Sequence, residues 1–323
     1  MKMGWFWKVG LLGGKGQYLI EAGGWAYFRT PGEPSLVAYS RMFNFVEGNS
    51  TFYEIPAQSE AERWRRLVPD DFEFAVRVHR SITHEHRLQP SIESLENLER
   101  LRRISEILRA EVMHFQTPPT LKIDQESIRN LRSLITSTSM GRIRIALELK
   151  GNYTRLPEEF VKTMQEYDVI HCVDLLRDEA PAARSDILHS RLFGKGYHNI
   201  YQPTDEELKS VDEKVRGAKS EKVMLSFHGL RMYKDAARLK TFKETGRFPM
   251  ITRSTGLASL ERVLMEDARF PTAREELMRR QGWKLFDMTE EKRIRAGETL
   301  QRLSKEAYSS IDDLIKDLRQ ILR

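Results

Sequence analysis

Eight short runs rich in β-branched and aromatic residues recur along the first three quarters of the chain, and stretches of helical spacing separate most of them. The runs are Tyr18–Ala22, Phe45–Glu47, Glu73–Val78, Val112–Gln116, Arg144–Leu149, Val169–Asp174, Ile187–Leu192 and Lys222–Phe227. Between them, Leu36–Arg41, Glu60–Leu67, Ile92–Leu108, Gln125–Ile135, Pro157–Glu166 and Glu206–Ala218 carry apolar residues at helical intervals. Strand–helix alternation of this regularity argues for a parallel sheet covered by helices, since parallel neighbours need long crossovers. Eight strands over roughly 230 residues match the count and size of a (β/α)₈ TIM barrel. A doubly wound sheet would show five or six strands, about, and a glycine fingerprint after the first. Here Gly13, Gly14 and Gly16 precede the first run.

After Lys243 the pattern changes. Gly246, Phe248 and Pro249 break the chain, and Leu257–Glu266, Thr272–Gln281, Thr289–Leu303 and Ser309–Leu322 read as helices with no convincing strand. Thr272, and Ser309 or Ser310 ahead of Asp312 and Asp313, are helix N-cap signals. The expected organisation is a barrel over 1–245 and a small all-helical C-terminal extension over 246–323.

Composition narrows the function classes. With 40% hydrophobic residues, including 15 Phe, 10 Tyr and 5 Trp, the chain has ample material for a core, which excludes wholesale disorder. No apolar run approaches the ~18 residues of a membrane span. The Met1–Leu12 segment is aromatic and apolar but is interrupted by Lys8 and followed by glycines, so it reads as a mature start and not a signal peptide. A lone Cys172 cannot form an intramolecular disulfide, which fits a reducing, cytoplasmic compartment. The net charge is +6, and 246–323 holds 16 Lys+Arg against 13 Asp+Glu, so the excess divides evenly between the two parts and names no partner.

In a barrel of this kind the working residues lie where strands end and loops begin. The second run ends in Glu47, followed by Asn49, Ser50, Thr51 and Tyr53; the third leads into Arg77, His79 and Arg80; the fourth ends in Gln116. The fifth ends in Glu148 and Lys150, the sixth in Asp174, the seventh in Arg191, and the eighth in His228 near Tyr233 and Lys234. A parallel strand buried on both faces should be apolar throughout, so charges ending five or more of the eight need partners or a solvated mouth. Glu148–Arg191 or Asp174–Arg191 as structural ion pairs is one reading. A polar pocket for an anionic or hydroxylated ligand is the other. The Arg77–Arg87 loop packs three Arg and three His into eleven residues, which suits a phosphate backbone but equally a solvated surface. In Arg63-Trp64-Arg65-Arg66, Trp64 is expected inward with the arginines exposed. Glu47, His79, Glu148, Asp174 and His228 are of metal-ligand type and could converge on a divalent cation, although no HExxH, CxxC or DxD spacing signals one. Cys172 reads as a buried, inert thiol.

The segments Glu21–Tyr27, Val46–Tyr53, Phe74–Arg80, Phe115–Pro119 and Ala146–Glu148 together resemble the YecE-like family, domain of unknown function seventy-two; the Asn-Ser-Thr-Phe-Tyr and Phe-Gln-x-Pro-Pro elements carry the resemblance. It covers roughly residues 18–245 and implies a TIM barrel related to the xylose-isomerase and endonuclease IV group. Motif by motif it places Glu47, Asn49, Ser50, Thr51, Tyr53, Arg77, Gln116, Glu148, Asp174 and Arg191 in the pocket. The chain departs from the family at Lys150-Gly151, at Phe193 before Gly194 and at His228-Gly229. The tail is similar to a small helical domain of unknown function found beside DNA-handling proteins.

Three function classes follow. The first is a nucleic-acid-processing or lesion-binding protein, a phosphodiester hydrolase by fold analogy. In it Glu47, Glu148 or Asp174 acts as base or metal ligand, and Arg77, His79, Arg80, Lys150, Arg191 and His228 hold DNA or RNA phosphate. The second is an enzyme on a sugar or sugar phosphate, with Glu47 and Glu148 as an acid/base pair and Asn49, Tyr53 and Gln116 on hydroxyls. The third is a non-catalytic adaptor whose helical tail docks a protein partner.

Overall fold

The computed structural model describes residues 17–151, 153, 155–178 and 180–322; the Met1–Leu12 segment and Gly13, Gly14 and Gly16 lie outside the described residues. Eight parallel strands form the barrel: β1 (Gln17–Ala22), β2 (Phe45–Gly48), β3 (Glu73–Arg77), β4 (Val112–Gln116), β5 (Arg144–Glu148), β6 (Ile170–Cys172), β7 (Ile187–Leu192) and β8 (Lys222–Phe227). Each coincides with a run read from the sequence to within about three residues. Strands β2 to β6 pair in chain order, and β7, β8 and β1 pair in turn. Contacts at both seams close the ring. Val173 bridges to Ser190 between β6 and β7, and the Glu47 N–H donates to Glu21 Oε2 at 2.6 Å between β2 and β1.

Helices α1 (Ser35–Met42), α2 (Gln58–Leu67), α3 (Ile92–Leu108), α4 (Gln125–Thr136), α5 (Glu158–Glu166), α6 (Asp205–Ala218) and α7 (Met232–Thr245) alternate with the strands, except between β6 and β7, where the described residues form turns. Amphipathic spacing and capping set their positions. Asp124 and Ser127 make a capping box at α4, and Ser91 caps α3. Helix α7 is not legible in the sequence. Asp235, Arg238 and Lys243 are buried on it beside Ala236 and Leu239, so its inward stripe is half polar. In α2, Trp64 is buried as expected, but Arg65 is only partly exposed because it bonds the Phe72 carbonyl at 2.7 Å and that of Pro69. Among the described residues no helix is long and apolar enough to cross a membrane.

The chain divides into two compact units. One comprises 17–192 with 212–228 and contains all eight barrel strands; the other comprises 193–211 with 229–322. In the second unit, α8 (Gly256–Met265), β9 (Thr272–Ala273), α9 (Arg274–Gln281), β10 (Leu285–Asp287), β11 (Arg293–Arg295), α10 (Ala296–Leu300), β12 (Ala307–Tyr308) and α11 (Ile311–Ile321) follow α7. The tail is therefore not wholly helical: β10 pairs with β11 and β9 with β12, each antiparallel. Strands of two or three residues show no alternation that a sequence pattern can register. Ser310 is the N-cap of α11, accepting from Asp313 N at 3.2 Å, whereas Thr272 is spent on β9.

A buried charge network organises this unit. Arg293 Nη1 contacts Asp205 Oδ2 at 2.9 Å and Arg293 Nε contacts Asp287 Oδ1 at 3.3 Å, while Arg238 reaches Asp205 at 2.5 Å and Asp235 at 2.9 Å. Gln202 accepts from Leu285 N at 2.8 Å and donates to Asp235 at 3.2 Å. Residues 202–205 and α7 are thus held by the tail's own side chains. Removing Arg293 takes one guanidinium from two buried carboxylates but leaves Asp205 with Arg238 and Asp287 with the N–H groups of Ile251 and Thr252, so Arg293→Ala should cost about 2 kcal/mol, with Arg293→Lys recovering part of the loss. Chemical denaturation measures this. A change near zero would show that the network is solvated.

Candidate functional site

Side chains on a strand return to the same face every second residue, and in a closed barrel one face is the interior. Leu19, Phe45, Ala75, Val112, Ala146, Ile170, Ile187 and Met224 form one buried cluster, with a residue from every barrel strand. Two residues onward stand Glu21, Glu47, Arg77, His114, Glu148, Cys172, His189 and Ser226; two further on, at or beyond strand ends, stand Gln116, Asp174, Arg191 and His228. The interior thus changes from apolar to polar in a single step toward the C-terminal mouth.

Arg191 is the hub, 2% exposed. Its Nη1 donates to Glu148 Oε2 at 2.6 Å and to Gln116 Oε1 at 2.8 Å, its Nη2 lies 3.2 Å from Glu47 Oε1, and its Nε donates to His228 Nε2 at 3.0 Å. His114 spans the same two carboxylates from below: Nδ1 is 3.1 Å from Glu47 and Nε2 is 3.3 Å from Glu148, at angles short of aligned hydrogen bonds. Lys150 Nζ reaches Glu148 Oε1 at 2.5 Å. Arg77 lies beside Arg191: its Nη2 donates to Gln116 at 3.0 Å, and both guanidiniums reach Asn49 Oδ1 at 3.4 Å. The Arg77 guanidinium lies over the Phe52 ring, 3.9 Å from its centroid. Gly24, at a φ of +104° that only glycine adopts readily, lets the loop after β1 pass Asn49.

The charges are unequal in state. Burial works to raise the carboxyls of Glu47 and Glu148, but Arg191 with His114, and Lys150 at Glu148, hold both well below the usual carboxylate range. Glu21, beside them and wholly buried, is pushed up to about 8 by burial and by the neighbouring Glu47 charge, so it keeps its proton at neutral pH. Burial and Arg191 lower Arg77, and burial and the same guanidinium push His228 well below the ordinary imidazole value. His189 falls to about 3, chiefly through burial, and neither of its ring nitrogens makes a hydrogen bond among the described residues. Burial raises the Cys172 thiol, in keeping with an inert side chain. Around the mouth, Arg77, Lys150 and Arg191 thus face two ionised carboxylates and a protonated acid.

Of the residues expected at the site, Glu47, Asn49, Arg77, Gln116, Glu148, Lys150, Arg191 and His228 converge. The ion pair of Glu148 with Arg191 exists inside this cluster. The others serve their own loops. Thr51 is buried and its hydroxyl bonds the carbonyls of Gly48 (2.6 Å) and Arg77. Ser50 lies exposed in the turn Asn49–Phe52, and Tyr53, 69% exposed, packs edge-on against Phe52. His79 links Ser81 Oγ at 2.9 Å to the Tyr53 carbonyl at 3.2 Å, and Asp174 Oδ1 accepts from Leu176 N at 3.0 Å in the turn it begins. Arg80 pairs with Glu85 at 2.7 Å, His86 with Glu93 at 3.0 Å, and Arg87 bonds the Thr120 carbonyl, so the basic loop is tied down by its own neighbours. The metal-ligand set of Glu47, His79, Glu148, Asp174 and His228 does not assemble: among the described residues no group of three or more His, Cys, Asp or Glu is placed to hold an ion. The sequence reading missed Glu21, His114, His189 and Ser226, although a polar residue two positions beyond an apolar one on a buried strand was the available signal.

Opposite shifts give opposite pH slopes. Glu47 and Glu148 contribute stability at neutral pH that is lost as pH falls below their ordinary value near 4.5. Glu21 binds its proton more tightly when folded, so its contribution falls as pH rises from about 4.5 to about 8. Glu21→Gln should therefore remove the alkaline slope while leaving the acid limb in place, as read from melting temperatures across a pH series. Parallel curves for the two proteins would refute the assignment.

A family model described as "Protein of unknown function DUF72" matches residues 23–248. UPF0759 protein YunF of Bacillus subtilis is 26% identical over 141 residues, 42% of this chain and 49% of that protein. UPF0759 protein YecE of Escherichia coli is 41% identical over 58 residues, 18% of this chain and 21% of that protein. The chain thus spans half or less of the length of these curated relatives. Among solved structures, a DUF72 family protein from Thermotoga maritima superimposes with a TM-score of 0.57 at 19% identity, over 70% of this chain and 98% of that one. One from Enterococcus faecalis gives 0.58 at 16%, over 71% and 94%. Both likenesses are of fold. With the family model covering more than two thirds of its residues, the chain belongs to the DUF72 family of proteins of unknown function.

Proposed function

We propose that the barrel mouth binds the anionic end of a small hydroxylated molecule, a sugar phosphate or sugar acid, and that the protein is an enzyme on that class of substrate. The observation that carries this reading is Arg77. Its partly buried guanidinium has no carboxylate within ion-pair distance among the described residues, bonds only the neutral amides of Asn49 and Gln116, leaves Nε without a hydrogen bond, and shares both amides with the cationic Arg191. Two guanidiniums held side by side repel, and an anion between them relieves that repulsion while taking up unused donors in a planar fork. Lys150 stands on the same rim, and Asn49 and Gln116 offer partners for hydroxyls.

In this reading Glu47 and Glu148 are positioning residues. A carboxylate held far below its ordinary value is a weak base at neutral pH, because useful general catalysts titrate near the working pH. Their negative charge instead fixes Arg191.

A nucleic-acid phosphodiester is the second reading, since the same cations would grip one phosphate. A polymer, however, needs a row of phosphate contacts, and Arg80, His86 and Arg87 are engaged with Glu85, Glu93 and the Thr120 carbonyl. Calorimetry with sugar phosphates and sugar acids, set against oligonucleotides over a salt series, separates the two. The expected result is small-anion binding that weakens about tenfold or more in Arg77→Ala, and oligonucleotide binding with a salt slope of about one or less. Tight oligonucleotide binding with a slope of several phosphates, and none of the small anions, would overturn the proposal.

A further inference from the structure

Behind the anion-binding rim runs a line of groups that rim chemistry alone does not require. Glu21 lies at the level of Ser226 across the β1–β8 pairing, and Ser226 lies at the level of Arg191 across β7–β8. The Glu21 carboxyl is fixed at both oxygens: Oε2 accepts from the Glu47 N–H at 2.6 Å, and Oε1 touches the Ser226 hydroxyl. The same hydroxyl lies 2.7 Å from His228 Nε2, which also accepts from Arg191 Nε at 3.0 Å. Glu21 and Ser226 are wholly buried, whereas His228 is partly exposed.

A serine hydroxyl has one proton to donate and lone pairs to accept with. With Glu21 protonated, its Oε1–H donates to Ser226 Oγ and the serine proton points at His228 Nε2. With Glu21 ionised, the serine proton turns to the carboxylate and leaves Nε2 to Arg191. We propose that Glu21, Ser226 and His228 form a proton relay in which the buried Glu21 carboxyl is the acid of the site and His228 its outlet toward the bound ligand. This rests on the small-anion reading above, because the outlet is useful only with a substrate oxygen at the mouth.

The step balances within the chain. The Glu21 O–H bond breaks as a new O–H forms on Ser226; the former serine proton passes to His228 Nε2; and the imidazole releases its Nδ1 proton to the ligand oxygen, ending neutral. Glu21 ends as a carboxylate; when product leaves, water returns a proton to His228 Nδ1, the Nε2 proton passes to Ser226 and the former serine proton to Glu21, which restores both the acid and the starting tautomer. The Nε of Arg191 loses an acceptor in this step, and an anion bound between Arg77 and Arg191 offers it another. The groups facing the relay suit it. Glu47 on β2 discourages a second negative charge at Glu21, so the proton stays home until a ligand draws it, while burial and Arg191 on β7, aided by His114 and opposed by Glu47 and Glu148, keep the His228 imidazole neutral and able to accept.

Nitrogen-15 spectra of the histidine side chains, with His228 assigned by difference from His228→Gln, test the relay without knowledge of the substrate. In wild type the His228 Nε2 signal should step with a midpoint near pH 8 as the serine proton turns from imidazole to carboxylate. Glu21→Gln and Ser226→Ala should abolish the step, and Ser226→Thr, which keeps the hydroxyl, should retain it. A step that survives in Glu21→Gln, or a wild-type signal flat from about pH 5 to about pH 10, overturns the relay; the wild-type titration alone decides if the variants do not fold. Inorganic phosphate titrated into wild type by calorimetry keeps the two readings apart. Phosphate binding without the step removes the relay alone, and the step without binding of phosphate or any sugar acid removes the anion site on which the relay's purpose depends.

Discussion

A guanidinium withdrawn from water must find its partners in the protein or destabilise the fold, and Arg191 finds them on three other strands and just beyond a fourth. Glu47 comes from β2, Gln116 from β4, Glu148 from β5, and His228 from just beyond β8. Both carboxylates are held in the interior chiefly by Arg191, with Lys150 also on Glu148 and His114 between the two; removing Arg191 takes the main counter-charge from both, a loss of about 3–5 kcal/mol in comparable pairs. The hub therefore does two things. It ties the mouth of the barrel across its diameter, and it uses up the basicity of both carboxylates. That second effect separates the three carboxyls, because it leaves Glu21, and not Glu47 or Glu148, with a value raised to about 8.

The barrel makes this arrangement through its alternation. Strands that carry Leu19, Phe45, Ala75, Val112, Ala146, Ile170, Ile187 and Met224 into one apolar layer carry the next inward residues into one polar layer. The apolar layer anchors eight strands at a common height, and the polar layer inherits that alignment. This is why Glu21 meets Ser226 at a matching register. A slip of one residue on any strand would turn its polar member out against the helices.

The same alternation explains what the sequence disclosed. The eight strands were legible because parallel strands buried on both faces are nearly continuous apolar runs, and a charge ending such a run is conspicuous; Glu47, Arg77, Glu148 and Arg191 were found that way. Glu21, His114, His189 and Ser226 lie inside the runs and not at their last residue, where a single polar residue looks like noise unless the apolar neighbours are first assigned to the interior. His79 and Asp174 had the right chemistry and the right place in the chain, but His79 comes two residues after β3 has ended and links two loops, while Asp174 begins a turn and bonds within it. Helix α7 and the short strands of the tail were hidden for a related reason: buried ion pairs such as Arg238–Asp235 and Arg293–Asp287 put charges where a pattern of hydrophobicity expects none.

Charge placement, not charge total, separates the candidate functions. The loop from Arg77 to Arg87 has the composition of a phosphate-binding stripe, yet Arg80, His86 and Arg87 each have a neighbour to neutralise or hold them, and exposed pairs of this sort leave little net field for a polymer to follow. Arg77 differs because it is partly buried, stacked on Phe52, bonded to neutral groups and set against a second guanidinium. Screening by water and salt is weak at such a site, so a cation without a carboxylate counterpart there attracts one small anion far more strongly than several exposed cations attract a chain of phosphates. In the proposed reading, a barrel mouth whose uncompensated charge sits at one partly buried guanidinium would hold one end of one molecule, and Glu21 lies two hydrogen bonds from His228.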